Sequence, residues 1–329
     1  MLNRKFAGVL AATLLAVSFA AAHAEDKYPS RTITMIVPYP AGGPSDVVAR
    51  IMADGMSKAL GETIIVENIG GAGGTIGTTR ASEAKPDGYT VLAASMGSLV
   101  SAPTVTPNVR YDSVKDFQMI GLTANAPVAI VAKKDFPAKD LKEFIAYVKA
   151  HGDNVKQAHG GIGSSSHMAC LLFATELGLK PQLIAYRGTG PALNDLVGGH
   201  VDYFCEQIVS VAPAVQSHLI KGYVVSGDQR SSALPDLPSA KEAGIPKYAI
   251  SIWSAIFAPK GTPKDIVAKL AGALDKTLDD PSIGAKLAKL GGTVPPKAQR
   301  GPDQLEKLLK SDIARWNPIL KSAMAEMKK

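Results

Sequence analysis

Thr32-Ile-Thr-Met-Ile-Val-Pro-Tyr-Pro-Ala-Gly-Gly-Pro-Ser-Asp46 is the stretch that decides the fold class. Thr32 to Val37 are apolar or β-branched, which predicts a strand. Pro38 to Asp46 then holds three prolines and two glycines, so the strand ends in a tight turn. Val48, Ile51, Met52, Met56 and Leu60 follow at helical spacing, and Gly61 is a natural stop. The same unit recurs outward. Thr63-Ile-Ile-Val66 reads as a strand, glycine-rich Gly70 to Gly77 as a loop, and the residues to about Lys85 as a helix. Pro86-Asp-Gly88 turns the chain into a strand from Thr90 to Ala94. This βαβαβ rhythm predicts a parallel sheet with helices packed on it.

After a strand at Pro127 to Ala132 the rhythm restarts. Leu141 to Ala150 reads as a helix, Lys156 to His159 as a strand, and Gly160 to His167 as a loop feeding a helix to Leu177. A strand at Gln182 to Ala185 leads into Tyr186-Arg-Gly-Thr-Gly-Pro191 and a helix ending near Gly198. Val201 to Cys205 is a strand meeting Glu206-Gln207, with a helix near Ala212 to Ile220 and a strand at Gly222 to Val225. Ile252 to Ala258 is apolar, and amphipathic helices fill Pro263–Leu278, Ser282–Leu290 and Asp303–Met324. Two βα sets joined by two apolar crossing segments predict an α/β chain of two lobes with a double hinge. Residues 25–127 and 252–329 form the first lobe and residues 128–251 the second.

The chain has 329 residues, 46% hydrophobic and 20% charged, which suits two folded domains and excludes wholesale disorder. The formal charge of +7 is dispersed, with Lys/Arg runs no longer than pairs such as Lys133-Lys134, so nucleic acid is not an expected partner. Arg4 and Lys5, an apolar run from Phe6 to Ala22, and Ala22-His23-Ala24 before Glu25 read as a Sec-type signal peptide over residues 1–24, cleaved after Ala24. Export to the periplasm follows. In an oxidising compartment Cys170 and Cys205 are open to two readings, one disulfide or two buried thiols. No Cys-x-x-Cys occurs and the histidines are scattered, so no metal is expected.

Four strand ends open into loops that feed helix starts: Pro40–Asp46, Gly161–His167, Tyr186–Pro191 and Cys205–Gln207. In open α/β sheets such loops converge on one crevice, and helix N-termini favour an anion there. Glycines at 42, 43, 161, 163 and 188 let backbone amides approach a ligand, and Ser164, Ser165, Ser166 and Thr189 add hydroxyls. The pattern points to a cleft for a carboxylate or another small oxyanion. Each loop taken alone is also an ordinary capped βα turn. His167 after a serine run suggests a secreted serine-type hydrolase, but no Gly-x-Ser-x-Gly elbow or orienting acid accompanies it. Gly71-x-Gly73-x-x-Ile76 lacks the third glycine of a dinucleotide turn, and no cofactor is expected. Arg187 is the one cation within these loops and ranks below the backbone donors. Glu206 at its strand end is open to three readings: a general base, a contact to a ligand amine or hydroxyl, or a solvated side chain.

Several motifs in order resemble one family. They are Val37-Pro-Tyr-Pro-Ala-Gly-Gly-Pro-Ser-Asp46, Glu67-Asn-Ile-Gly-Gly-Ala-Gly-Gly-Thr-Ile-Gly77, Lys85-Pro-Asp-Gly-Tyr89, Gly161-Ile-Gly-Ser-Ser-Ser-His167, Gly199-His-Val-Asp202 and Phe257-Ala-Pro-Lys-Gly-Thr-Pro263. The chain is similar to the extracytoplasmic receptors of tripartite tricarboxylate transporters, the Bug proteins. That resemblance implies a type II, Venus-flytrap periplasmic binding protein that closes on a small carboxylate without catalysis and hands it to inner-membrane permease subunits. Nothing in the sequence demands more than a monomer, and a sensory receptor on the same fold is a further reading. Main-chain amides and bridging waters would hold the carboxylate, which points to Ala41, Gly42, Gly43, Gly163, Ser164, Ser165, Thr189 and Gly190. Ser95 and Ser98 would offer hydroxyls from a polar loop facing the cleft. Glu206 stands where the family commonly has Asp, in a context resembling an aspartate-binding subset. Its extra methylene suits a shorter or repositioned ligand. With Tyr39, Pro40, Asp46, Gly161, His167 and Tyr186 from the same loops, these are the candidate ligand-binding residues.

Overall fold

The computed structural model describes residues 28–326, so the signal peptide assigned to residues 1–24 lies outside the described residues. The chain runs β1 (Ile33–Val37), α1 (Pro44–Leu60), β2 (Ile64–Asn68), α2 (Thr75–Ser82) and β3 (Thr90–Ser95). β1 pairs in parallel with both β2 and β3, as the βαβαβ rhythm requires. A π-helical turn, Gly97–Ser101, then leads into α3 (Ala102–Val105). This segment, read from sequence as the start of a polar loop, is instead a buried helical turn.

β4 (Phe117–Lys133) is longer than the six-residue strand expected at Pro127–Ala132. Its first part pairs antiparallel with β9 (Ser251–Pro259), and its last six residues pair with β7 (Tyr203–Gln207) and β8 (Ile220–Val225). Two register shifts, around Gly121 and before Ala124, interrupt the alternation that would have marked its first half. Between β4 and β7 lie α4 (Leu141–His151), β5 (Lys156–His159), α5 (Ser165–Leu177), β6 (Gln182–Ala185) and α6 (Thr189–Val197). β5 is parallel to β6 and β7. α7 (Ile208–Gln216) starts directly off β7, four residues before the expected Ala212, and carries Pro213 in its interior. α8 (Lys264–Asp279), α9 (Pro281–Lys289) and α10 (Pro302–Glu326) complete the described chain.

The sheet order is β2-β1-β3-β9-β4-β7-β5-β6, with β8 on β4. The result is a two-lobed α/β fold in which the one strand β4 belongs to both sheets. Ser226 stitches the crossing: its Oγ accepts from Val128 N at 2.8 Å and donates to Ile250 O at 2.5 Å, while its own N–H donates to Val128 O at 2.7 Å. Apolar faces close both sheets. Val48, Met52 and Met56 of α1 and Leu270, Leu274 and Leu278 of α8 cover one face of the first sheet. Phe144, Phe173 and Tyr203 build the interior of the second, and Leu305, Leu309 and Leu320 of α10 belong to the same cluster. No described helix is long and apolar enough to cross a membrane.

Candidate functional site

A narrow cavity lies between the two sheets, lined by Tyr39, Pro44, Ser45, Ser95, Gly160, Ser164, Ser165, Ser166, Gly188, Thr189, Glu206 and Gln207. Four helices begin at its wall. Pro44 and Ser45 open α1, Ser165 and Ser166 open α5, Thr189 opens α6, and Gln207 is the residue before α7. First-turn N–H groups have no acceptor within their own helix, and each helix N-terminus carries about half a positive charge. Four such ends bring partial positive charge to the pocket, which the Glu206 carboxyl shares, and among the described residues no lysine or arginine belongs to its lining.

The walls are held by local bonds. Ser164 caps α5, its Oγ accepting from His167 N at 3.1 Å and lying 3.1 Å from Ser166 Oγ. Ser166 Oγ accepts from Gly160 N at 2.9 Å. Behind α5, Cys170 and Cys205 form a disulfide, which ties the helix bearing the serines to the strand bearing Glu206. Of the two readings open in the sequence, the bonded one is realised.

The two sides of the cavity touch. Ser95 Oγ and Ser165 Oγ lie 3.3 Å apart. A β-carbon on Gly188 would stand 2.5 Å from Pro40 Cδ, and one on Gly97 would stand 2.5 Å from Ser165 N. Ala41 O faces Gly190, and Gly43 packs on Thr189. Glycine at these positions is what lets the loops meet.

Glu206 is 1% exposed. Its Oε2 accepts from Thr189 Oγ1 at 2.5 Å and its Oε1 from Gln207 N at 2.7 Å. Burial pushes its carboxyl up to about 7, and those two hydrogen bonds only partly offset it. Tyr39 donates to Gly73 O at 3.2 Å, and burial raises its phenol to about 12.

Of the residues singled out in sequence, Tyr39, Ser95, Ser164, Ser165, Ser166, Gly188, Thr189 and Glu206 line the cavity. Pro40, Ala41, Gly43, Gly161 and Gly190 stand at the contacts between the two sides instead. Asp46 is a brace, accepting from Gly42 N at 2.9 Å and Asn68 Nδ2 at 3.0 Å and pairing with Arg50 at 2.9 Å. Ser98 is fully buried against Ser95 O and Tyr111. Tyr186 donates to Asp195 Oδ2 at 2.6 Å, and Arg187 is exposed. His167 lies behind the serine loop, its Nδ1 accepting from Gly163 N at 3.3 Å. Burial first, and then His159, hold its imidazole down at about 3. No hydrogen bond joins its ring to a serine hydroxyl among the described residues. Pro44, Ser45 and Gln207 line the cavity from the expected loops without having been named as contacts, and Gly160 stands just before one of those loops; their signal is position, at or beside a helix start after a capping residue. Among the described residues no cluster of three metal-ligating side chains occurs.

Two sheets closing on a cavity of helix N-termini define a solute-binding protein. The model of the tripartite tricarboxylate transporter family receptor matches residues 48–324, and the chain belongs to that family. It is 43% identical to MatC of Rhodopseudomonas palustris, solved with bound malate, with a TM-score of 0.86 over 89% of this chain and 100% of that one. The periplasmic binding protein BugD is 40% identical, with a TM-score of 0.87 over 90% of this chain and 98% of the other. A UPF0065 protein of Agrobacterium vitis is 36% identical over 98% of this chain and 92% of its own length.

Proposed function

We propose that the protein is a periplasmic receptor that captures a small carboxylate between its lobes and delivers it to tripartite tricarboxylate-type permease subunits. Residues 1–24 act as the signal peptide, and the lobes divide as residues 25–127 with 252–329 against residues 128–251. It binds without catalysis. The observation that carries this reading is the convergence of four helix N-termini on one cavity with no cation in its lining among the described residues. Neutral donors of this kind hold an anion and supply no nucleophile–base pair. The malate bound in MatC supports the ligand class.

Thermal unfolding with aspartate, glutamate, succinate, malate, citrate and aromatic acids tests it. A ligand at 100 times its Kd should stabilise the fold by about 2.7 kcal/mol. The same ligand should give no shift in a Ser164→Ala, Gly43→Val double variant, because valine at 43 is driven into Thr189, 3.4 Å from the position of a β-carbon. Silence across the panel, repeated after unfolding and refolding to strip bound solute, would sink the carboxylate reading. Ester turnover lost in His167→Ala would replace it with hydrolysis.

A further inference from the structure

Glu206 presents a difficulty for a carboxylate receptor. Its carboxyl group lines the same small cavity the ligand must enter, it is buried, and among the described residues no cation lines that cavity to share. Two carboxylates brought together in a dry site cannot both stay charged without a large penalty. The titratable groups packed around Glu206 do not relieve it. Tyr39, Tyr203 and Tyr248 are held in the neutral form by burial, and burial holds His159 on β5 and His167 on α5 below their usual range, so both are neutral too. β4 presents Ala129 opposite Glu206, and α7 has no titratable side chain. On α1, Asp46 is already paired with Arg50; on α6, Asp195 accepts from Tyr186.

The hydrogen bonds show a way out. Gln207 N donates to Oε1, so Oε1 is an acceptor in either protonation state. Among the described residues the one hydrogen bond to Oε2 comes from Thr189 Oγ1, and Thr189 itself lines the cavity at the start of α6. With Glu206 ionised, the threonine hydrogen is spent on Oε2. With Glu206 protonated, Oε2–H donates to Thr189 Oγ1 and the threonine hydroxyl is free to donate into the cavity.

We propose, building on the carboxylate reading above, that Glu206 takes up one proton from solvent on Oε2 when the ligand carboxylate binds, and that Thr189 relays the change by turning its own hydroxyl hydrogen from Glu206 onto the ligand. No covalent bond to the ligand forms; one O–H forms on Oε2 and the donor direction of one hydrogen bond reverses. Ligand capture is thereby linked to protons. Burial already brings the Glu206 carboxyl to about 7, so the cost of the uptake near neutral pH is small.

Isothermal titration calorimetry with L-malate, succinate and adipate, at pH 7 to 9 in two buffers of different ionisation enthalpy, tests this. These ligands are fully ionised there, so their own protons do not contribute. Uptake near one proton per ligand at pH 8.5 is expected, with Kd rising about tenfold per pH unit above pH 8. In Glu206→Gln the amide donates permanently to Thr189, so binding should be independent of pH, without proton uptake, and about tenfold or more tighter than wild type at pH 8.5. Thr189→Ser should retain the linkage and Thr189→Val should weaken binding at every pH. Binding without proton uptake, or with affinity that rises with pH, overturns the relay while leaving the carboxylate reading intact. A marked preference for L-aspartate over malate without uptake does the same, placing an ammonium on ionised Glu206. Failure of every carboxylate to bind overturns both. The wild-type titration decides alone, whatever the variants do to folding.

Discussion

Gly73 and Ile162 meet across the cleft so closely that a β-carbon on Gly73 would stand 1.9 Å from the Ile162 carbonyl oxygen. Gly73 follows β2 and Ile162 follows β5, so the contact exists only when the two sides are together. Gly73 also sits at φ +66°, in the left-handed region. Gly73→Ala therefore adds about 1–2 kcal/mol of backbone strain in any state, and a clash in the closed state alone. The expected outcome is a modest loss of melting temperature with at least a tenfold loss of affinity for whichever carboxylate binds. Calorimetric titration beside a melting curve separates the two effects. Unchanged affinity would mean that closure does not bring these loops together in the ligand complex.

The disulfide between Cys170 and Cys205 is both a stability device and a positioning one. It closes 35 residues of chain and fixes the serine helix against the Glu206 strand. A cross-link over a loop of that length restricts the unfolded chain by about 4 kcal/mol in the chain-entropy account. Cys170→Ser with Cys205→Ser should lose about 2–4 kcal/mol in denaturant titration, with a weaker ligand response because two walls of the cavity are no longer tied. A double variant as stable as the parent would remove the disulfide from the account of the fold.

Much of this site was legible in the sequence because helix starts are written locally. β5 and β6 have the bounds expected of them in the sequence, and α5 ends at Leu177 before Gly178, which takes the left-handed conformation at φ +63°. The first half of β4 was not legible. Gly121, Thr123 and Asn125 interrupt its apolar pattern, and the register shifts that accommodate them appear only once β9 lies beside it. Nor was the division of labour among the candidate loops. Asp46 and Tyr186 sit in glycine-rich loops like ligand contacts, yet their partners Asn68 and Asp195 brace the loops from outside the motif. The placing of His167 behind the serines, rather than among them, follows from how α5 packs on His159, which has no local signature.

The same buried groups set how stability responds to pH in the absence of ligand. Glu206 is raised by burial from 4.5 to about 7, so the folded state holds a proton that the unfolded state has released between those values. Its contribution is fully present below pH 4.5 and is lost as pH rises to 7, about 1.4 kcal/mol per unit and about 3 kcal/mol in all. His167 runs the other way. Burial holds it at about 3 against 6.5 unfolded, so stability falls as pH drops from 6.5 towards 3, and His159, also lowered by burial, adds in the same direction. Between pH 4.5 and 6.5 Glu206 and His167 nearly cancel; below that window the histidines dominate, and above it Glu206 does. Replacing Glu206 with Gln removes one side of the balance. Urea titrations should then show the variant gaining on wild type by about 3 kcal/mol between pH 4.5 and pH 7.5. A wild-type-to-variant difference that stays constant over that range would mean the Glu206 carboxyl titrates alike in the folded and unfolded chain, and its burial in the cavity would then carry no proton.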